Sequence, residues 1–397
     1  TGPVDLTGWS LDGAIGYRFP DDTVISPGDH LVVARDAAAL AARHPGAIIV
    51  GDFSGRLGNG YGYVKLEDAS RNPVDELHYY DGGRWPGAAD AGGSSLELRD
   101  PDADNSVPEA WGASDESGRS AWRSYTYRAR ATPYPGTNDP TIYHEFIFGL
   151  LDAGEFLIDD ISVVEDPEGA RRQLIQNGTF ERDRLGNLPQ AWRLVGTHGL
   201  HRRSRVVEDP DGAGKVLHVV ATGPMWHQQN QAETTLKSGG QFVTINSSKT
   251  YEISFRARWL TGSPHLNTRL YFDRVARTHV LEQPVLSGTP GAPNSTLVAN
   301  LGPTTEGFRH APPRPAANAP VTVEATVSDP DGVDSVTLHW SRNGGSFTAM
   351  PMTGNGGEGR YTATISGQPD NTRVQFYLEA VDRLGAVATH PAGGRNS

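Results

Sequence analysis

The chain has 397 residues, 47 glycines, 28 prolines and a formal net charge of -12 at pH 7, and its length fits two to four domains of about 100 to 200 residues each. The acidic balance excludes a nucleic-acid partner, because binding phosphates requires clustered Lys and Arg. The absence of cysteine excludes disulfides and thiolate metal sites, and no apolar run reaches the roughly 20 residues that span a bilayer.

Short strand-like runs separated by turn-rich stretches fill the first third of the chain. Examples are HLVVA (30–34), YVKLED (63–68) and VDELHYY (74–80). ARDAAALAARHP (34–45) predicts one short helix that ends at Pro45. These patterns predict an all-β fold of tandem β-sandwiches, with residues 1–127 as the first module, Trp122 in its core, and residues 128–140 as a linker.

Residues 141–290 form the second predicted module. In many extracellular sandwiches a run such as EFLIDDISVV (155–164) closes the domain and one such as LIQNGTFE (174–181) opens it, yet here the closing run comes first. Either two sandwiches meet at this point or one sandwich is circularly permuted. Only one full set of strands is present, so we expect a single permuted sandwich. Such a permutation costs little because the ends of a sandwich usually lie close together.

The last predicted module, residues 316–397, alternates between apolar and polar positions. The runs VTVEATVSDP, SVTLHWSR, RYTATISG and VQFYLEAVD are separated by turns that contain DPDG and NGG. This period of two is typical of strands with one buried face. A stretch rich in Pro and Gly, residues 291–315, predicts the linker before it.

Several of these phrases resemble known families. DLTGWSL (5–11) followed by GRLGNGYGYVKLEDASRNPVDELHYY (55–80) resembles a lamin tail domain, an immunoglobulin-like sandwich. In that family a further strand precedes DLTGW, so the resemblance implies an unpaired sheet edge and self-association through it. The second module resembles a carbohydrate-binding, galactose-binding-like jelly roll whose two last strands have moved to the front. The third resembles an immunoglobulin-like or fibronectin type III domain.

The order of the three modules resembles the region in front of a spore-coat-H-type kinase domain in large bacterial extracellular proteins. The resemblance implies an extracellular or cell-surface location. None of the kinase family's residues are found in the 397 residues of the sequence.

Two adjacent aspartates in the second module are candidate metal ligands. Asp159 shares a predicted strand face with Leu157, Ile161 and Val163, whereas Asp160 shares the other face with Phe156 and Ile158. A buried carboxylate needs a partner, which is either a cation, an Arg or hydrogen bonds. The jelly-roll resemblance implies a structural calcium ion (Ca2+) held by Asp159 or Asp160 together with Glu181. Pairing of these carboxylates with Arg is the alternative.

A polar surface on two runs of the second module is the candidate ligand site. In TYEISFRARWL the apolar row begins at Tyr251, which leaves Arg256 and Arg258 on the other face. The next strand carries Asn267, Arg269 and Tyr271 on one side. The loop GPMWHQQNQAETT adds Trp226, His227 and Glu233. Aromatic rings and Arg forks suit a glycan or an acidic surface polymer, and the alternative is a solvated face of paired charges.

Taken together, these features predict an extracellular binding or adhesion protein whose jelly roll binds a glycan or another surface ligand. No nucleophile motif such as G-x-S-x-G occurs in the sequence, so we expect this chain not to be an enzyme. One alternative is a non-catalytic targeting region of a larger spore-coat-H-type kinase protein. The other is a structural subunit of a filament or surface layer.

Overall fold

The computed structural model describes residues 2–133, 144–200, 203–212, 214–226, 229–355 and 359–396. Strands account for 46% of the residues and helices for 5%, which confirms the prediction of an all-β chain of tandem β-sandwiches. Among these residues no helix is long and apolar enough to cross a membrane.

The chain divides into two compact units. The first comprises Thr1–Pro86, Glu97–Gly112 and Thr289–Ser397, and the second comprises Gly87–Leu96 and Ala113–Gly288. The first and last predicted modules therefore share one unit, and most of the predicted second module forms the other.

The first part of the chain contains eleven described strands: β1 (Val4–Asp5), β2 (Ser10–Gly13), β3 (Ile15–Arg18), β4 (Val24–Ile25), β5 (Leu31–Ala34), β6 (Ile48–Gly51), β7 (Ser54–Gly55), β8 (Tyr61–Glu67), β9 (Pro73–Tyr80), β10 (Leu96–Leu98) and β11 (Trp111–Ala113). A five-stranded antiparallel sheet has the order β7-β3-β2-β8-β9, β1 pairs with β4, and β5 pairs in parallel with β6. Strand β9 is an edge strand of its sheet.

The only α-helix among the described residues is α1 (Ala37–Arg43). The side chain of Asp36 caps its start by accepting a hydrogen bond from the N–H of Ala39 at 2.8 Å. Its end lies at His44, whose N–H donates to the carbonyl of Leu40, directly before Pro45. The capping aspartate and the proline thus confirm the predicted helix and its end. Four short 3-10 helices are also described, at Gly87–Ala89, Pro108–Ala110, Gly196–His198 and Gly394–Asn396.

The middle sandwich has thirteen described strands: β12 (Arg123–Arg130), β13 (Glu145–Leu150), β14 (Gly154–Glu165), β15 (Arg172–Gln173), β16 (Trp192–Val195), β17 (Arg205–Glu208), β18 (Lys215–Ala221), β19 (Gln231–Thr235), β20 (Lys237–Ser238), β21 (Gln241–Phe242), β22 (Thr250–Gly262), β23 (His265–Leu270) and β24 (Arg274–Val280). One sheet, named here the Arg256 sheet, has the order β12-β22-β14-β18-β17 with β15 on β14. The other, the Arg269 sheet, has the order β16-β19-β13-β23-β24.

One hydrophobic core joins the two sheets of the middle sandwich. It contains Phe146, Phe156, Trp192, Phe255 and Trp259 among other residues. The runs that precede and follow the unusual junction therefore lie in one sandwich, because both contribute to the same core. The apolar row predicted on β22 faces this core at all its positions, Tyr251, Ile253, Phe255, Ala257 and Trp259.

The last part of the chain contains eight described strands: β25 (Thr304–Ala311), β26 (Val321–Ser328), β27 (Val333–Arg342), β28 (Thr348–Pro351), β29 (Thr353–Gly354), β30 (Arg360–Ile365), β31 (Val374–Asp382) and β32 (Val387–His390). They form two four-stranded sheets, ordered β25-β26-β30-β29 and β28-β27-β31-β32. The alternating run on β26 faces the core with Val323, Ala325 and Val327, as its period of two predicts.

Two segments predicted as module ends or linkers are strands instead. β12 was expected to end the first module and enter a linker, but it pairs along its whole length with β22. Tyr125, Tyr127 and Ala129 alternate on β12 and pack against the core of the middle sandwich. β25 lies inside the predicted linker 291–315 and pairs with β26. Residues 134–140 of the first predicted linker lie outside the described residues.

The remainder of the second predicted linker is held by hydrogen bonds within its unit. The N–H of Leu301 donates to Asp100 Oδ2 at 2.8 Å, and the N–H of Val298 donates to the carbonyl of Arg99 at 2.8 Å. This stretch is therefore part of a folded unit, because its backbone groups have partners in distant parts of the sequence.

Candidate functional site

Arg256 lies on β22, with its side chain on the face of the Arg256 sheet opposite the core. Its Nη2 donates to Asp159 Oδ2 at 2.6 Å and to Asp209 Oδ2 at 3.0 Å, and its Nε lies 3.2 Å from Asp160 Oδ2. The ring centroid of Trp122 lies 4.2 Å from the guanidinium carbon. Asp159 and Asp209 are each 3% exposed, so the cluster is a nearly buried ion pair network covered by an aromatic ring.

The cluster contains more negative charge than Arg256 neutralises. Burial raises the pKa of Asp159 to about 6, the hydrogen bond from Arg256 opposes that increase, and the charge of Asp160 adds to it. Asp159 Oδ1 is buried and has no hydrogen-bond partner among the described residues. One guanidinium therefore contacts three carboxylates, which leaves the buried charge of Asp159 only partly compensated.

Arg258, two residues further along β22, is also engaged within the protein. Its Nη1 lies 3.1 Å from Asp211 Oδ1, its Nη2 donates to the carbonyl of Ser117, and the residue is 7% exposed. Segment 113–122, which carries Ser117 and Trp122, covers this face of the sheet. The structure therefore favours the alternative stated for Arg256 and Arg258, a face of paired charges.

The predicted surface that combined Arg256 and Arg258 with Asn267 and Arg269 does not exist. β22 and β23 belong to different sheets, which share one core. The physical reason is the connection after Gly262, where the chain crosses from one sheet to the other. Outward positions on β22 and β23 therefore face away from each other.

Arg269 lies on the outer face of the Arg269 sheet, in a row of polar side chains. Its Nη2 donates to Gln231 Oε1 at 3.4 Å and its Nη1 donates to Asn267 Oδ1 at 3.3 Å. Gln231 in turn donates to Glu233 Oε2 at 2.7 Å, and Arg193 donates to Glu233 Oε1 at 2.7 Å. Strands β16, β19 and β23 thus place five polar side chains in one connected network, named here the Arg269 network.

A glycine makes room for the loop beside this network. A Cβ atom at Gly149 on β13 would lie 2.9 Å from His198 Nε2 and 3.1 Å from Met225 Cγ. His198 is fully buried and its Nε2 accepts a hydrogen bond from the N–H of Leu150 at 3.0 Å. Burial lowers the pKa of His198 to about 4, so it is neutral at physiological pH and accepts this hydrogen bond from β13.

Trp226 follows Met225 in the same loop and is 65% exposed. Its backbone N–H donates to the carbonyl of Asn230 at 3.0 Å. Met225 Sδ lies 3.7 Å from Arg269 Nη1, and Gln231 follows Asn230 directly. Met225 and Gln231, the residues on either side of Trp226–Asn230, therefore both contact Arg269, so the exposed Trp226 directly follows a residue in contact with the Arg269 network.

The remaining predicted ligand residues have different positions. Tyr271 packs against the core, because β23 ends at Leu270 and Tyr271 lies beyond the alternation of that strand. Its ring also contacts Phe272, with centroids 4.6 Å apart. His227 lies outside the described residues. The structure thus brings Trp226, Glu233, Asn267 and Arg269 together and separates them from Arg256, Arg258 and Tyr271.

The predicted calcium ligands have protein partners. Asp159 and Asp160 contact Arg256, as described above. Glu181 Oε1 accepts a hydrogen bond from the N–H of Lys215 at 3.0 Å. The expected strand face is also wrong, because Asp160 has φ 53 and the pairing with β22 shifts between Asp159 and Ser162. This bulge returns Ile161 and Val163 to the core while Asp159 stays on the outer face.

The described residues contain one group of three acidic side chains that could hold a metal ion, and it lies in the last module. Single carboxylate oxygens of Asp329, Asp331 and Asp382 lie within 4.8 Å of one another. Asp382 already accepts hydrogen bonds from the N–H groups of Leu384 and Ala386 at 2.8 and 2.9 Å. These bonds account for the position of Asp382, and burial raises the pKa of Asp329.

Sequence reasoning missed Arg193, Gln231 and Met225. The alternation in AWRLV predicts that Arg193 faces outward when Trp192 faces the core, so the sequence alone could have identified Arg193. Gln231 and Met225 had no such signal: only the strand order β19-β13-β23 brings Gln231 near Arg269, and Met225 precedes β19 in a loop. A scan against models of known protein families finds no match for this chain, and a search of curated proteins finds no relative.

Proposed function

We propose that this chain is a bacterial extracellular or cell-surface binding protein whose middle sandwich, a permuted carbohydrate-binding-like jelly roll, binds a glycan beside the Arg269 network. The observation that carries the proposal is the exposed indole of Trp226 next to a fixed set of hydrogen-bonding groups. Sugars bind proteins through the stacking of their apolar ring faces on aromatic rings and through planar polar side chains at their hydroxyls.

The geometry supports this division of roles. Trp226 offers a ring face, whereas Arg193, Glu233 and Asn267 offer donors and acceptors on rigid strands. Side chains on strands keep their positions better than side chains on loops, which lowers the entropy cost of binding. No proton-transfer or nucleophilic role is needed for this function, so the proposal is one of binding without catalysis.

A glycan array tests the proposal, with the intact chain compared with Trp226→Ala. We expect signals on a restricted set of glycans and about a fivefold loss of affinity in the variant, since one aromatic contact contributes about 1 kcal/mol. Phe242→Ala is a matched control, because Phe242 is also 65% exposed and lies on β21 outside the network. Absence of signal on every glycan, or equal loss in both variants, would contradict the proposal.

Two further proposals follow from the resemblance of the three modules. The chain is a targeting region of a larger spore-coat-H-type kinase protein, which the encoded sequence after Ser397 tests directly. As an alternative, it is a subunit of a filament or surface layer. The second is favoured by β9, an edge strand that exposes Val74 (51%) and Tyr80 (52%), and size-exclusion chromatography that shows only monomers would contradict it.

A further inference from the structure

Arg269 is a nearly buried cation whose protein contacts are long. Its side chain is 9% exposed, yet its hydrogen bonds to Gln231 and Asn267 measure 3.4 and 3.3 Å. Its contact with Met225 Sδ is 3.7 Å. Hydrogen bonds from a nitrogen to an oxygen are normally about 2.7 to 3.2 Å long. The guanidinium is therefore in place but weakly bound.

The charges around Arg269 do not compensate for this burial. The carboxylate of Glu233 lies in the same network but is bound by Arg193 and Gln231. The remaining acidic partner among the described residues is Asp273, whose side chain is 74% exposed and lies 3.3 Å from Arg269 Nε. An ion pair with so exposed a carboxylate contributes little, because water screens it. Burial lowers the pKa of Arg269, and the charge of Asp273 only partly opposes this effect.

A carboxylate ligand would form stronger hydrogen bonds with this buried cation than its present partners do. An incoming carboxylate can replace two long bonds to neutral amides with two short charge-assisted bonds to the guanidinium fork. Both Nη atoms already point to neutral acceptors, so the displaced amides of Gln231 and Asn267 remain able to bind sugar hydroxyls. Trp226 at the edge of the network supplies the stacking surface.

We propose that the ligand of the middle sandwich is an acidic saccharide and that Arg269 binds its carboxylate. This inference rests on the proposed glycan-binding function and specifies its ligand class. Arg193 is not the carboxylate-binding residue, because Glu233 occupies its Nε at 2.7 Å. The proposal therefore assigns charge recognition to Arg269 and ring stacking to Trp226.

The test compares uronate polymers with chemically matched neutral forms. Polygalacturonate, alginate and hyaluronan are each titrated into the intact chain by calorimetry, together with derivatives of the same length in which each carboxylate is reduced to a hydroxymethyl group. We expect at least one acid form to bind ten times more tightly than its reduced form. Arg269→Gln should remove this ratio and retain binding of the reduced form. Arg205→Gln, which removes an exposed cation from the Arg256 sheet, should leave the ratio unchanged.

Each outcome distinguishes the two proposals. Equal binding of acid and reduced forms, or binding of neutral glycans alone that Trp226→Ala weakens, overturns the acidic ligand and leaves glycan binding intact. A ratio that persists in folded Arg269→Gln overturns the role of Arg269. Absence of binding to every glycan, acidic or neutral, overturns the proposed function itself. If Arg269→Gln does not fold, as judged by circular dichroism, the ratio measured on the unchanged chain still decides on the ligand class.

Discussion

The indole of Trp122 lies over the guanidinium of Arg256, with the ring centroid 4.2 Å from Cζ, and its Nε1 donates to Asp209 Oδ1 at 3.2 Å. Asp209 in turn accepts from Arg256 at 3.0 Å. The three side chains close a small ring of contacts that attaches segment 113–122 to the Arg256 sheet. Trp122, which we expected in the core of the first module, is thus part of the middle sandwich.

Removal of Trp122 should destabilise the middle sandwich. Trp122→Ala deletes a cation–π contact, a hydrogen bond to a carboxylate and part of the cover over a nearly buried ion cluster. These effects predict a loss of about 2 to 3 kcal/mol in the free energy of unfolding. Denaturant unfolding followed by circular dichroism measures this loss.

Trp226→Ala is the control, because Trp226 is 65% exposed and its loss should change stability by less than about 0.5 kcal/mol. Equal effects of the two substitutions would contradict the role of Trp122.

Asp159 should make stability fall as the pH rises through the weakly acidic range. Burial raises the pKa of this carboxyl to about 6 in the folded chain, whereas in the unfolded chain it is about 3.9. Between about pH 4 and pH 6 the folded chain retains a proton that the unfolded chain has lost. The stabilising contribution is complete below about pH 4 and is lost as the pH passes 6.

The measurement compares the intact chain with Asp159→Asn, which cannot titrate at this position. The unfolding free energy of the intact chain relative to the variant should decrease by up to about 3 kcal/mol from pH 4 to pH 7, at about 1.4 kcal/mol per pH unit of the interval. The comparison cancels the titration of all other groups. A relative stability that rises with pH would show instead that the ion pair with Arg256 dominates.

Local patterns predicted much of the fold. The row from Tyr251 to Trp259 faces the core, and α1 ends before Pro45. Each of these features depends on residues within one turn or one strand, where the side-chain period and the capping chemistry act. For the same reason, the outward position of Arg269 on its strand was available from sequence.

The assignment of strands to sheets was not available from local patterns. β22 and β23 are consecutive in sequence, and consecutive strands often pair, but here they lie in opposite sheets. The bulge at Asp160 also reversed the facing of Ile161 and Val163, because one extra residue changes the parity of a strand. The predicted site was therefore divided between two faces, although its individual residues were mostly assigned to the outer side.

Calcium is expected not to stabilise the middle sandwich through Asp159, Asp160 and Glu181. The first two carboxylates contact Arg256, and Glu181 accepts from the backbone of Lys215. A cation would have to displace these partners before it could gather six to eight oxygen ligands. The calcium site implied by the resemblance stays a prediction that the structure does not favour.

Thermal melts in calcium and in chelator provide the measurement, with unfolding of the middle sandwich followed by hydrogen exchange on β14 and β22. We expect the same protection in both conditions. Greater protection in the presence of calcium, if Glu181→Gln abolishes it, would support the calcium site. If Glu181→Gln retains the greater protection, the ion binds elsewhere, which agrees with the expectation that these three residues do not bind calcium.

Gly93 should not tolerate a side chain, because it lies against a fully buried indole. A Cβ atom there would be 2.9 Å from Cη2 of Trp259 and 2.5 Å from Nε2 of Gln283, and the φ angle of Gly93 is +83. Trp259 is 1% exposed and cannot move without opening the core, and an alanine at a positive φ adds backbone strain. Gly93→Ala should therefore cost about 2 to 4 kcal/mol of unfolding free energy.

Gly87→Ala is the matched control. A Cβ atom at Gly87 would have nothing within 4 Å and its φ is not positive, so its effect should stay below about 0.5 kcal/mol. Similar melting temperatures for both variants would mean that segment 87–96 does not pack on Trp259 in solution.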